Sequence, residues 1–310
     1  MRRKLWAVAV VLAVGATACY LPYDFDNDSK ADLVAMSSSG VWRKGSDILW
    51  TGQSGDVPVA GDYDGNGVWE AAVVRGDDWV TAGSQGTIHF PKPPAISVPG
   101  ASYPQPEILP VPSDYDGDGK TDPAWYRQAD ATWWIRGQAD PVTFGAPFHT
   151  GTPDYDVAAP ADFDGDGKAD LATFSPATAT WHVRGQADVV AGGIADIPVP
   201  ADYDGVKGAE RATFDFFLFD YHVAGRPDVH LDISWNDAPA GVLPAAANYD
   251  GAGGVEPAAF AYGTDRWYLA GQPVVRTNEA AAWPAAYPPA GEILRMTYLK
   301  RCLVNHAMTC

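Results

Sequence analysis

DFDGDGKAD, residues 162–170, sets four carboxylates within nine residues and spaces them with two glycines. Like charges this close repel one another, so the run asks for a positive partner. The same frame recurs as DFDNDSKAD (24–32), DYDGNGVWE (62–70), DYDGDGKTD (114–122), DYDGVKGAE (202–210) and NYDGAGGVE (248–256). The starts of the six windows lie 38, 52, 48, 40 and 46 residues apart.

Each window sits in a repeated context. A Pro-marked apolar stretch precedes it, such as VPVAG, LPVPS or IPVPA. A short β-type run follows, such as DLATFS (170–175), then a turn and an aromatic stretch ending in Gly: VWRKG, DWVTAG, WWIRG, WHVRG, YHVAG and WYLAG. From window start to that Gly the distance is 21, 21, 23, 23, 23 and 23 residues. These pieces are short, rich in β-branched and aromatic residues, and bounded by Gly, Pro, Asn and Asp, which predicts strands. No helical period runs a full helix length beyond residue 18.

A unit of 40 to 50 residues with three or four strands predicts an all-β chain folded as a β-propeller, because one such sheet cannot cover both its faces and must stack on its neighbours. WPAAYPPAGEILRMTY (283–298) resembles LPAAANYDGAGGVEPAAFAY (243–262) with a shortened loop. That favours seven blades, the last degenerate, over six blades and a tail. Trp42, Trp79, Trp134, Trp181 and Trp267 recur at similar register and read as inter-blade core or as platforms for sugar. RGQAD, at 136–140 and 184–188, reads as a turn or as a repeated polar rim.

A hard divalent cation explains the acidic windows. Ca²⁺ takes six to eight oxygens at about 2.3–2.6 Å, from carboxylates and backbone carbonyls, whereas Mg²⁺ demands a strict octahedron and keeps its waters. Positions 1, 3, 5 and 9 supply side chains and the carbonyl of position 7 another oxygen. The candidate ligands are therefore Asp24, Asp26, Asp28, Lys30 and Asp32; Asp62, Asp64, Asn66, Val68 and Glu70; Asp114, Asp116, Asp118, Lys120 and Asp122; and Asp162, Asp164, Asp166, Lys168 and Asp170. Four Ca²⁺ ions are expected. In the fifth and sixth windows Val206 and Ala252 replace the position-5 donor, which puts metal there in doubt. An EF-hand would need Glu at position 12, where Val73, Trp125 and Thr173 stand instead.

The D-x-D-G-[DN]-G-x-x-[DE] loop, Pro-marked before and followed by a strand hairpin closing in W-x-x-x-G, resembles the FG-GAP/VCBS-type repeats of integrin-α-like propellers. The resemblance covers about residues 20 to 272 and more weakly extends to 300. It implies a seven-bladed propeller whose loop carboxylates bind Ca²⁺, in line with the four sets above. It leaves function open, because such repeats serve adhesion receptors, lectins and non-catalytic modules of secreted hydrolases.

MRRK followed by LWAVAVVLAVGATA (5–18) is a basic start and an apolar run too short for a membrane span, which predicts a signal peptide over 1–18 and an exported protein at the cell surface or outside it. Cys19 follows small residues, as in a bacterial lipobox, and lipidation there would be the chain's one link to a membrane. Cys302 and Cys310 would then remain to staple a 301–310 tail behind a single propeller domain over 19–300. Residues 1–18 hold Arg2, Arg3 and Lys4 and no acid, so their removal takes the net charge from −18 to −21. That charge argues against nucleic acid and anionic membrane surfaces as partners.

No H-E-x-x-H or G-x-S-x-G pattern occurs, and the six His are scattered. The expected function is a non-catalytic, calcium-stabilised binding or adhesion module for a protein or cell-wall ligand. A lectin-like propeller and a carbohydrate-active lyase or hydrolase are the alternatives.

Overall fold

The computed structural model describes residues 23–98, 108–148, 155–238, 241–261, 264–277 and 282–284. The leader, Cys19, Cys302, Cys310 and most of the segment read as a seventh unit lie outside them. Among the described residues every regular element is a strand.

The strands form six four-stranded antiparallel sheets. The first contains β1 (Val34–Ser37), β2 (Val41–Lys44) and β3 (Asp47–Thr51). The second is β4 (Val57–Pro58), β5 (Ala72–Arg75), β6 (Asp78–Thr81) and β7 (Thr87–His89). The third is β8 (Ile108–Pro110), β9 (Ala124–Arg127), β10 (Thr132–Ile135) and β11 (Val142–Thr143). The fourth is β12 (Val157–Ala158), β13 (Ala172–Ser175), β14 (Thr180–Val183) and β15 (Val189–Val190). The fifth is β16 (Ile197–Pro198), β17 (Ala212–Asp215), β18 (Asp220–Val223) and β19 (Val229–His230). The sixth is β20 (Val242–Pro244), β21 (Ala258–Ala261), β22 (Arg266–Leu269) and β23 (Val275–Arg276).

β24 (Ala282–Pro284) does not begin a seventh sheet. It pairs with β1, Trp283 opposite Met36 and Pro284 opposite Ala35, and so supplies the strand that the first unit lacks. The blade count is six among the described residues, the alternative rather than the favoured seven. The physical reason is edge pairing: an unpaired β1 would expose a row of backbone donors and acceptors, and a strand from the other end of the chain covers it.

Residue types explain the strand order. The first strand of five sheets ends in Pro, at Pro58, Pro110, Pro198, Pro244 and Pro284. Proline lacks the N–H a central strand needs, so it belongs on an edge. The second and third strands form the interior. Cross-strand partners Tyr126 and Trp133, Phe174 and Trp181, Phe214 and Tyr221, and Phe260 and Trp267 repeat one core pair, with ring centroids 4.8, 5.1, 4.9 and 4.9 Å apart. Met36 with Trp42 and Val74 with Trp79 hold the same register in the first two sheets. Tilted ring pairs of this kind add about 0.5–1.5 kcal/mol each beyond burial. The fourth strands are the outer edges: β15, for example, is exposed at both residues.

This packing decides between the two readings of the recurrent Trp residues. Trp42, Trp79, Trp181 and Trp267 are all buried, and the residue at their register in the third sheet is Trp133 rather than Trp134. Trp134 instead lies under the Arg127 guanidinium, 4.5 Å from ring centroid to Cζ. Trp42, Trp79, Trp133, Trp181 and Trp267 are core, not platforms for sugar. Truncating Trp181 to Ala should cost roughly 3–5 kcal/mol of stability by urea unfolding. A loss under about 1 kcal/mol would contradict the core assignment.

Candidate metal loops

Five acidic windows connect the first strand of a sheet to the second, and the window at 24–32 leads into β1, so all six loops lie at the same end of the sheets. In five of them an isolated bridge closes the base: Gly61–Glu70, Ser113–Asp122, Ala161–Asp170, Ala201–Glu210 and Ala247–Glu256. The wrap has one pattern. The position-1 side chain accepts backbone N–H groups from the far side of the loop: Asp62 from Gly65 at 2.7 Å and Gly67 at 2.8 Å, Asp114 from Gly117 and Gly119 at 2.6 and 2.9 Å, and Asp162 from Gly165 and Gly167 at 2.7 and 2.9 Å. The position-9 carboxylate accepts the position-2 N–H, as from Phe25 to Asp32 at 2.9 Å and from Tyr115 to Asp122 at 3.0 Å. Position-5 side chains accept the N–H of Lys30, Val68, Lys120 and Lys168 at 2.7–2.9 Å. Sharp wrapping needs left-handed backbone at position 4, which Gly165 meets at φ +76°. In the first loop Asn27 and Ser29 take that conformation instead, at φ +62° and +66°.

These turns bring carboxylates together. One oxygen from each member lies within 4.8 Å of the others in the sets Asp24, Asp26, Asp32; Asp62, Asp64, Glu70; Asp114, Asp116, Asp122; Asp162, Asp164, Asp166; and Asp202, Asp204, Glu210. Such clusters can hold a metal ion. Four of the five coincide with the sets read from the sequence. Within them Asp28 and Asp118 stand outside their clusters, and so does Asp170. The fifth window keeps three carboxylates together but presents exposed Val206 where another oxygen donor would stand.

The electrostatics follow from burial. Burial pushes the Glu70 carboxyl up to about 7, with Asp64 and Asp62 adding to the rise, while the Tyr63 N–H opposes it. Asp122 rises to about 6 for the same leading reason. Asp62, Asp114, Asp162 and Asp170 also lie above their ordinary values, burial again the largest cause. Glu70 is 8 % exposed, and its Oε1 is buried without a hydrogen-bond partner. A buried carboxylate oxygen without a donor is costly, and a cation offsets that cost.

The loops also join one another, which no motif announced. The position-8 N–H of each loop donates to the position-1 carbonyl of the loop before it. The pairs are Trp69 to Asp24 at 2.8 Å, Thr121 to Asp62 at 2.7 Å, Ala169 to Asp114 at 2.7 Å, Ala209 to Asp162 at 2.6 Å and Val255 to Asp202 at 2.7 Å. Ala31 to Asn248 at 2.6 Å closes the ring.

A pH dependence follows for the protein in EDTA. The folded-state value of Glu70 lies above that of an unfolded Glu, so its stabilisation is complete below about 4.5 and is lost as pH rises through about 7. Metal-free protein should therefore melt progressively lower between about pH 5 and 8, and Glu70→Gln should flatten the upper part of that decline in a thermal scan. A metal-free melting temperature that rises across this range would contradict the burial account.

Residues 114–173 match the family model described as the FG-GAP-like repeat. Comparison with curated proteins found no match. The matched span runs from the third acidic loop through the fourth and into β13. The chain is a β-propeller that carries an FG-GAP-like repeat over that span, and the six-sheet architecture and the match together support an FG-GAP-repeat propeller.

Proposed function

We propose that the chain is an exported, non-catalytic binding module whose propeller is stabilised by Ca²⁺ in the acidic loops. The observation that carries the calcium reading is the second loop, where the Asp62 and Asp64 carboxylates converge with Glu70, one of whose oxygens is buried without a hydrogen-bond donor. Oxygen-only donor sets on flexible loops suit Ca²⁺ better than Mg²⁺. In EDTA the melting temperature should fall, and Ca²⁺ should restore it. One site filled at about a hundred times its Kd adds about 2.7 kcal/mol, so several sites together amount to a shift on the order of 10 °C or more. An unchanged melting curve would overturn the calcium reading.

Among the described residues, the nearest approach to a catalytic arrangement supports a structural role instead. Ser175 Oγ lies 3.2 Å from His182 Nε2, and His182 Nδ1 lies 2.9 Å from Asp188. The same hydroxyl bonds Asp156, a buried carboxylate that also accepts from Ala146 N and Thr173 Oγ1 at 2.8 and 2.7 Å. The fifth sheet repeats the cluster with Asp215 at the Ser175 register, His222 at the His182 register, and Asp196 holding Thr213 at 2.9 Å. The repetition fits a pin that ties a sheet to the linker before it.

A ligand face is favoured at the other end of the sheets. The turn from β17 to β18 is FFLF (216–219), where the fourth sheet has PATA (176–179). Leu218 and Trp235 are 59 % and 45 % exposed, and Phe216 and Phe219 pack on Trp235 with centroids 5.8 and 4.9 Å away. Exposed aromatic and apolar groups gathered in this way are the usual mark of an interaction site. Purified protein should bind at least one species among arrayed glycans and exported proteins of its source cell, and Trp235→Ala should weaken that binding at least tenfold. Glycan binding would favour the lectin-like form of the reading. Product release from a polysaccharide would overturn the non-catalytic one.

A further inference from the structure

The first loop differs from the others in having a cation already in place. Lys44 Nζ lies 2.5 Å from Asp26 Oδ2 and also contacts Asp32 Oδ1. Those are positions 3 and 9 of the loop, and both belong to its carboxylate cluster together with Asp24. The ammonium thus bridges two of the three groups that would hold a metal ion. Among the described residues, no ion pair of Lys or Arg reaches a clustered carboxylate of the second, third, fourth or fifth loop.

The register shows that this is a particular substitution and not a surface lysine swinging inward. Lys44 pairs with Val34, two residues after its loop. The residues at the same place in the other sheets are Thr81, Ile135, Val183, Val223 and Leu269. All five are buried. Lysine therefore occupies a core-facing position beside the loop, with its stem along the sheet and its charged end among the acids, as long amphipathic side chains do. Asp32, the partner on the inner side, is 8 % exposed, whereas the Lys44 side chain is 32 % exposed, so solvent screens the pair less than a fully exposed one.

We propose that Lys44 is the resident cation of the first loop, and that this loop takes no divalent ion while Lys44 is present. The inference rests on the calcium reading of the other loops, and it lowers the expected number of ions from four to three. An ammonium tethered in the same sheet neutralises the loop without the entropic cost of capturing a free ion. It also sits in the one sheet built from both ends of the chain, where β24 meets β1. Closure of the ring there does not wait on calcium, while the second, third and fourth loops respond to it.

Lys44→Val tests this, because valine is the residue of the fourth and fifth sheets at that register. Native mass spectrometry at about 1 mM Ca²⁺, within the range where exported modules bind, should count three ions on the parent protein. It should count four on Lys44→Val and three on Lys44→Arg, which keeps the charge. In EDTA, Lys44→Val should melt several degrees below the parent, and Ca²⁺ should remove most of that difference. Equal counts on parent and Lys44→Val, with ions present, would overturn the inference and leave the calcium reading standing. No ions on either protein would overturn both.

Discussion

The propeller depends on a single backbone hydrogen bond repeated around a circle. Each acidic loop offers the carbonyl of its first residue to the N–H of the eighth residue in the next loop, and the sixth loop offers its own to the first. Such a bond forms only if both loops hold their wrapped shape at once. That shape is set inside each loop by the position-1 side chain, which gathers N–H groups from positions 4 and 6 in the first four loops and from position 4 in the fifth and sixth. The sixth loop shows that the wrap needs no charge at position 1, because Asn248 accepts from Gly251 at 2.7 Å and donates to the Gly253 carbonyl at 3.2 Å. The turn and the cation are therefore separable. All six loops keep the turn, and a subset keeps enough oxygen for an ion.

That separation explains why the acids can be so concentrated. Backbone N–H groups neutralise part of the charge at positions 1, 5 and 9, and burial at position 9 raises what is left. The residual demand differs from loop to loop. At the second it falls on a buried Glu70 oxygen without a donor; at the first Lys44 meets it. A sequence that repeats its loop six times does not repeat its electrostatics six times.

The frame of the repeat was legible because strand lengths and turn residues are local properties. The windows, the Pro-marked edge strands and the aromatic third strands all fall where the sequence puts them. Three features were not legible. Trp133 and Trp134 are adjacent aromatics, and only pairing with Tyr126 shows which one faces the core. Lys44 was hidden by the constant Gly that ends the aromatic run: counted from Gly45 it aligns with Arg136 and Arg184, whereas strand pairing aligns it with Ile135 and Val183. The preference for seven blades over six fell for a related reason. A strand that completes a sheet begun some 250 residues earlier looks, in one dimension, like the start of something new. Each miss concerns which partner a segment meets across the fold, and a local pattern cannot encode that.

The two ends of the sheets carry different tasks. At the loop end the carbonyls and acids are committed to joining neighbours, so variation there threatens the ring. At the other end the hairpin turns bond within their own sheet and to the linker beside it, as the Ala195 N–H does to the Pro176 carbonyl, and their composition differs from sheet to sheet. It is SSG (38–40) in the first sheet, PATA in the fourth, FFLF in the fifth. A propeller fastened at one end can carry an aromatic cluster at the other without loss of closure, since Phe214, Tyr221 and the ring bonds are untouched by what occupies 216–218. That division allows one stabilising device, repeated, to support a turn surface that is not repeated.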